Sequence, residues 1–264
     1  MLIVLKYGGN AMTAEAGADA TLDEVAGLAR GGERIVIVHG GGPQIDAELR
    51  AKAIVEPRVA GLRATGGAAR DVVEYVLCGT VNKALVRALA ARGVPAVGIS
   101  GEDGGVLSAR RVGRVEGVDL GYVGEVASVD PSAVAALLDA GFVVVVAPLA
   151  LEAGTHAALN CNADTAAGAI AGALRADAYV VITNVAGVRR DLHDPSSVIP
   201  RIDVAEARAM LADGTFTDGM IPKMAAAVAA IDGGARRAVV AGAGNGAIAR
   251  ALAGEGTEIT ASPR

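Results

Sequence analysis

Lys6-Tyr7-Gly8-Gly9 closes an apolar run at residues 2–5, and Gly40-Gly41-Gly42 closes a second at residues 35–38. Glycine at such a turn lets backbone N–H groups approach an anion with no Cβ in the way. A helix starting just behind it adds the positive end of its dipole. Two such corners side by side would cradle phosphate, with Lys6 as a point charge inside, and that equipment suits phosphoryl transfer. The second corner is the stronger signal: Pro43 fits a first helical position, which puts the glycines at a helix start. Taken alone, Lys6 also fits a solvated lysine at a strand end, and the triple glycine a tight turn.

Three further segments carry polar residues in suggestive places. In Asn160-Cys161-Asn162-Ala163-Asp164-Thr165, Asn162 is a good N-cap and Asp164 suits a first helical turn. Capping leaves Asn160, on the same strand face as Asn162, without a role. Gly219-Met220-Ile221-Pro222-Lys223 puts a lysine in the first turn of a helix, which the dipole disfavours unless an anion sits there. By itself this lysine reads as solvent-exposed. Gly61-Leu62-Arg63-Ala64-Thr65-Gly66 offers an arginine in a loop before a long helix; a guanidinium suits bidentate carboxylate binding, although many loop arginines bind nothing.

Several chemistries are excluded. No Gly-Lys-Ser/Thr follows the triple glycine, so it is not a P-loop. Gly242-Ala243-Gly244-Asn245-Gly246-Ala247 matches G-x-G-x-x-A. It has no room after it for a second βαβ half and no acidic residue read in a following strand, so dinucleotide binding is not expected. His39, His156 and His193 lack zinc-ligand spacing, and no serine nucleophile elbow is present. No metal-ligating residue is therefore assigned. The 24 basic and 29 acidic residues give a net charge of −5, with no Trp and two Phe, which argues against a nucleic-acid partner. The apolar run at residues 142–151 is far short of the ~20 residues that span a membrane. Cys78 and Cys161 form no CxxC pair and read as small buried apolar residues of a cytoplasmic protein.

The elements that must position these groups follow from periodicity. β-branched runs at residues 2–5, 35–38, 94–99, 142–147, 179–183 and 238–241 predict strands. Helical spacing at 22–29, 44–54, 69–92, 132–140, 163–174, 205–211 and 224–231 predicts helices between them. The alternation predicts an α/β fold, with a mostly parallel sheet covered by helices on both faces. Aromatics are only 2% against 52% apolar residues, which suits a core of Ala, Val, Leu and Ile. Residues 106–129 differ: polar and apolar residues alternate around Gly113, Gly117 and Gly121, predicting an antiparallel hairpin insertion at the sheet edge, over the substrate site. A lobe boundary is expected near residue 175.

Taken together, LKYGGNAM, VHGGGPQID, GLRATG, CGTVNKALV, VGISGEDGG, GYVGEV, LNCNADTAAG, ITNVAGV and GMIPKM resemble, in order and over nearly the whole chain, the amino-acid kinase superfamily and within it the acetylglutamate kinase family. The resemblance implies a three-layer αβα sandwich with a central, mainly parallel sheet. Residues 1–175 would form an N-terminal lobe for the acyl amino acid and dimerisation, and residues 176–264 a C-terminal lobe for ATP. It implies phosphorylation of the side-chain carboxylate of N-acetyl-L-glutamate, a step of arginine biosynthesis, with ATP and Mg²⁺. Lys6 and Lys223 would neutralise charge on the transferring phosphoryl group, and Asp164 would orient both. Gly41 and Gly42 would line the substrate side of the phosphate cradle, and Gly8, Gly9 and Asn184 the ATP side. Arg63 would clamp the substrate carboxylate, with Asn160 as a further polar contact.

Two departures bear on the substrate. Gly66-Gly67 stand where the family usually has an acidic residue, and Asn184 where acetylglutamate kinases usually have Asp. Asn there points toward a branch acting on aminoadipate or glutamate attached to a small acidic carrier protein, which Arg110, Arg111 and Arg114 could greet; HGGGPQI and NADTAAG fit the acetylglutamate branch better. The start directly at the first strand suggests an arginine-insensitive homodimer. An inactive nucleotide-binding sensor is the reading from another class, and it would be expected to have lost Lys6, Asp164 or Lys223.

Overall fold

The structure is a computed structural model describing residues 1–8, 12, 15–191, 194, 197–216 and 219–262. The chain begins with β1 (Leu2–Tyr7), α1 (Glu15–Arg30), β2 (Arg34–His39) and α2 (Gly42–Ala51). The short pair β3 (Arg58–Val59) and β4 (Leu62–Arg63) leads to α3 (Gly67–Glu74), a π-helical turn at Tyr75–Val81 and α4 (Asn82–Ala90). Next come β5 (Ala96–Ser100), β6 (Leu107–Arg111), the small pair β7 (Arg114–Val115) and β8 (Val118–Asp119), β9 (Val123–Val129) and α5 (Ser132–Asp139). The remainder is β10 (Val143–Ala147), β11 (Leu149–Glu152), β12 (Ala158–Cys161), α6 (Ala163–Ala173), β13 (Ala178–Thr183), β14 (Arg201–Asp203), α7 (Val204–Ala212), α8 (Met220–Asp232), β15 (Ala238–Gly242), α9 (Ala247–Leu252) and β16 (Thr257–Thr260).

Eight strands form one sheet in the order β14-β16-β15-β13-β1-β2-β10-β5, parallel except where β15 meets β16. The central strands are near-continuous β-branched runs because both of their faces are covered; all five residues of β10 are buried. Alternation sorts the two faces. Ile3, Leu5 and Tyr7 pack with Leu22 and Val25 of α1 and Ile45 of α2. Val4 packs with Ala167 and Ile170 of α6 and Met224 of α8. Lys6 shares the Val4 face, so it points toward the layer of α6 and α8.

Those two helices approach each other through glycine. A Cβ on Gly168 would stand 2.4 Å from the Ala226 oxygen, and one on Gly172 would stand 2.9 Å from Gly233 Cα. The contacts ascend together in both helices, so α6 and α8 run parallel and their first turns lie side by side. The site depends on that register.

The six strands expected from periodicity form, and the strand nearest the site is longer than expected, since β1 extends through Lys6 and Tyr7. The helix expected over residues 69–92 is broken by the π-helical turn, whose Leu77 side chain packs so tightly on Gly41 that a Cβ there would come within 2.6 Å. Pro148 ends β10, so the apolar run at 142–151 holds two strands rather than one. The hairpin of β6 and β9 does not extend the main sheet; it joins β11 and β12 in a small closed barrel. β12 and β9 bring Asn160 and Val123 to the cleft described next.

Candidate active site

A cleft of about 590 Å³ opens at the carboxyl ends of β1, β2 and β13. Ligands of open α/β sheets bind at this edge, beside the point where strand order reverses; here that point is the β1–β13 pair, with β2 on the other side of β1. Lys6, Gly8, Gly41, Gly42, Arg63, Asn160, Asp164, Asn184 and Lys223 all line it. Gly9 lies outside the described residues.

The first cluster joins β1, α6 and α8. Lys6 Nζ stands 3.1 Å from Asp164 Oδ1, and Lys223 Nζ stands 4.0 Å from Asp164 Oδ2. The side chains are 11%, 8% and 16% exposed, so neither lysine is a solvated surface cation. Asp164 is held at the start of α6 by three contacts. Asn162 Oδ1 accepts from the Asp164 N–H at 2.8 Å and from the Thr165 N–H at 3.3 Å, and the Tyr179 hydroxyl donates to the Asp164 carbonyl at 3.1 Å. Lys223 Nζ also donates to the Gly219 carbonyl at 2.9 Å. Burial pushes the Lys223 ammonium below its usual pKa; Asp164 opposes the shift and Lys6 adds to it. Two cations share one carboxylate, so the cluster carries an excess positive charge facing the cleft. Glycine keeps the space before each ammonium clear: a Cβ on Gly8 would lie 3.3 Å from Lys6 Nζ, and one on Gly219 would lie 3.7 Å from Lys223 Nζ.

The glycine turn meets this cluster because β1 and β2 are neighbours, with Lys6 beside Val38 and Tyr7 beside His39. The Gly40 N–H donates to the Tyr7 carbonyl at 2.9 Å. Pro43 occupies the first turn of α2, and the leading N–H groups of that helix have no intrahelical acceptor. Gly40, Gly41 and Gly42 line the same cleft as the two lysines.

The second cluster surrounds Arg63, whose side chain is only 8% exposed. Its Nη1 donates to Asp46 Oδ1 and its Nη2 to the Gly42 carbonyl at 3.3 Å. Asp46 Oδ2 takes Arg58 Nη2 at 3.1 Å. The hydrogen bond from Arg63 holds the Asp46 carboxyl below its usual pKa. Asn160 Nδ2 donates to Thr65 Oγ1 at 3.2 Å, and that hydroxyl donates to the Arg63 carbonyl at 3.0 Å. Backbone bonds of Thr65 to Leu120 and Tyr122 tie this loop to the barrel, where a Cβ on Gly121 would strike the Thr65 oxygen at 2.5 Å.

Sequence reasoning passed over Asp46 and Arg58. Asp46 lies one helical turn beyond Gly42 in α2, a spacing that could have flagged it. No acid stands at Gly66-Gly67, but Glu56 Oε1 accepts from the Gly66 N–H at 2.9 Å at the start of α3. The G-x-G-x-x-A segment is also accounted for. Glu24 of α1 takes the Ile248 N–H at 3.0 Å and the Ala249 N–H at 2.5 Å, filling the start of α9 with a carboxylate. The following strand, β16, does carry an acid, Glu258, but it pairs with Arg201 and Arg237.

The chain matches the model of the amino acid kinase family over residues 1–242. It is 46% identical over 242 residues to an acetylglutamate kinase of Methanopyrus kandleri, covering 90% of this chain and 93% of that enzyme. It is 42% identical over 241 residues to an acetylglutamate kinase of Symbiobacterium thermophilum, covering 89% and 82% respectively. Among solved structures, the N-acetylglutamate synthase of Neisseria gonorrhoeae, complexed with coenzyme A and N-acetyl-glutamate, superposes with a TM-score of 0.84 at 25% identity. The match covers all of this chain, which spans 60% of the synthase. A carbamate kinase of Giardia lamblia bound to AMP-PNP shares the fold, with a TM-score of 0.72 at 18% identity over 99% of this chain and 98% of that one.

Proposed function

The chain belongs to the amino acid kinase family, and from that membership and the charge arrangement of the cleft we propose that it transfers the γ-phosphoryl group of ATP to the side-chain carboxylate of N-acetyl-L-glutamate. The observation that carries the reading is the Lys6–Asp164–Lys223 cluster, with separations of 3.1 and 4.0 Å, in one cleft with Arg63. A carboxylate acceptor is already ionised near neutral pH, so no general base is needed. The obstacle is the approach of one anion to another. One oxygen of the carboxylate forms a bond to the γ-phosphorus as the bond to the ADP oxygen breaks, and no proton moves. Lys6 and Lys223 supply positive charge where negative charge crowds, and the glycine backbone supplies N–H donors fixed in advance. Arg63 and Asn160 receive the acceptor's other carboxylate and acyl amide, which leaves its side-chain carboxylate facing the lysines.

Residues before about 175 provide Gly41, Gly42, Arg63 and Asn160, while Thr183, Asn184, Lys223 and Ala243 line the cleft from beyond it. That division supports an acyl amino-acid side at residues 1–175 and a nucleotide side at 176–264. ATP use follows from the kinase family. For Mg²⁺ the donor set supports one mode of binding. Among the described residues Asp164 is the one carboxylate lining the cleft, and both lysines engage it. Among the described residues no group of three His, Cys, Asp or Glu is placed to hold an ion. The residues fit an ion held by nucleotide phosphates and water, where it would neutralise phosphate charge.

Free acetylglutamate is favoured over a carrier-linked acceptor. Of the hairpin arginines, Arg111 is taken by Glu152 at 2.7 Å and stacks 4.2 Å from the centre of the Tyr122 ring, leaving less charge to greet an acidic carrier. No helix among the described residues is long and apolar enough to cross a membrane. Homodimeric assembly in the cytoplasm belongs to the same proposal and rests on the family resemblance of the sequence. An ADP-release assay with N-acetylglutamate, carrier-linked aminoadipate and carrier-linked glutamate tests the reading. Turnover of free acetylglutamate is expected; activity confined to a carrier-linked acceptor would overturn it.

A further inference from the structure

We infer that His39, fixed in place by Asn82, is a positioning residue that aims the Gly41 N–H into the cleft toward the transferring phosphoryl group; this rests on the kinase reading above. His39 ends β2 directly before the triple glycine and is fully buried, as is Asn82 at the start of α4. Its Nδ1 lies 2.9 Å from the Gly40 oxygen, and its Nε2 lies 3.2 Å from Asn82 Nδ2.

The proton on the ring can be placed from these neighbours. Asn82 Nδ2 also faces the Val145 carbonyl at 3.0 Å and the Ile99 carbonyl at 3.2 Å, while its Oδ1 receives Lys83 Nζ at 3.1 Å. Two carbonyls on one side and an ammonium on the other allow a single orientation of the amide. The amide nitrogen shares its two hydrogens among these acceptors and cannot accept one, so Nε2 carries no proton, and the ring proton sits on Nδ1, where it donates to the Gly40 carbonyl. β5 makes room for this network: a Cβ on Gly98 would fall 1.8 Å from Asn82 Oδ1. Burial pushes the imidazole pKa down to about 4, so the neutral ring persists at neutral pH.

The consequence reaches the cleft through one peptide plane. A trans peptide holds its C=O and the next N–H in opposite directions, and no cis bond occurs among the described residues. With the Gly40 carbonyl drawn to His39, beneath the turn, the Gly41 N–H must point the other way. Gly41 lines the cleft, and among the described residues its N–H has no protein acceptor. The buried histidine thus stops this peptide from flipping and keeps a donor trained on the site before substrate arrives.

The test compares His39→Leu, which removes the donor, with His39→Asn, whose amide nitrogen can take the place of Nδ1. Initial rates with ATP and acetylglutamate are measured alongside thermal melts, and ¹⁵N spectra of histidine-labelled protein are recorded, with the His39 signal identified by its loss in the variants. Mis-aiming a preorganised donor by about 1 Å costs up to about 10² in rate. His39→Leu is expected to lower kcat by about 30- to 100-fold, with the KM for acetylglutamate within about twofold, and His39→Asn to recover about tenfold of that loss. The wild-type spectrum is expected to show an Nδ1-protonated, neutral ring. A folded His39→Leu enzyme with wild-type kcat, equal losses in the two variants, or an Nε2-protonated ring would each overturn the assignment. If His39→Leu does not fold, His39→Asn and the spectrum decide. A wild-type enzyme with no activity on acetylglutamate would instead sink the kinase reading, and the spectrum would still judge the geometry.

Discussion

Adding a single methyl group at Gly168 should loosen the Lys6–Asp164–Lys223 cluster from a distance. Gly→Ala inside a helix ordinarily stabilises by about 0.5–1 kcal/mol, because glycine loses more backbone freedom on folding. At Gly168 the new Cβ would lie 2.4 Å from the Ala226 oxygen, below the 3.0 Å floor of real Cβ contacts, so α6 and α8 must part by about 0.6 Å there. Overpacking of this kind costs about 1–3 kcal/mol and outweighs the helix gain. The net loss of about 0.5–2 kcal/mol should lower Tm by several degrees, at about 2–4 °C per kcal/mol for a chain of this size. Both helices carry the cluster in their first turns, so the 4.0 Å separation of Lys223 and Asp164 widens with them. At an effective dielectric of about 20 the Coulomb loss is only about 0.5 kcal/mol. Displacement of the ammonium from its working position is the larger effect, and kcat should fall about tenfold, given that 1 Å can cost about 10². The KM for acetylglutamate should hold, because Arg63 and Asn160 sit on β4 and β12. Gly27→Ala is the control: an added Cβ there meets nothing within 4 Å, so it should raise Tm slightly and leave kcat alone. Differential scanning fluorimetry and steady-state kinetics read both variants. A Gly168→Ala protein as stable as Gly27→Ala, with unchanged kcat, would refute the account of helix register.

Lys223→Ala should reduce kcat by about 10²–10³ while the circular dichroism spectrum stays native; unchanged turnover would remove the residue from the mechanism. Asp46→Ala should act on KM rather than kcat, raising the KM for acetylglutamate about tenfold as Arg63 loses its charge-assisted anchor. The depressed pKa of Lys223 predicts a decline of kcat on the alkaline side with an apparent pKa below 10.5, as the ammonium loses its proton. Stability moves the opposite way: between that pKa and 10.5 the folded state binds fewer protons than the unfolded one, so the contribution of this group rises with pH. A kcat profile flat up to pH 10.5 would contradict the burial of Lys223.

Local pattern alone determined a good deal. Alternation and helical spacing depend on neighbours a few residues apart, so the six main strands and the αβα layering could be read from them. The same holds for the Asn162 cap and for Pro43 at the start of α2, since both act within one turn. The π-helical turn at Tyr75–Val81 was hidden because it is shaped by Leu77 packing on Gly41, a contact far away in the chain. β14 and β16 were hidden because they are short and half polar, and only pairing makes them strands: β16 with β15, and β14 with β16.

For the site, residue types and glycine turns marked the candidates, and the resemblance supplied their roles. Only the tertiary structure decided that Lys6, Asp164 and Lys223 meet. Their charges are useful because burial and the glycine-packed helices hold them 3.1 and 4.0 Å apart, and neither burial nor interhelical distance is written in local sequence. The same reason explains why Asp46, Glu56, Glu24, His39 and Asn82 were silent. Each acts through, or is held by, a partner at least ten residues away, so its identity was visible from the start and its work became so only once the chain had folded.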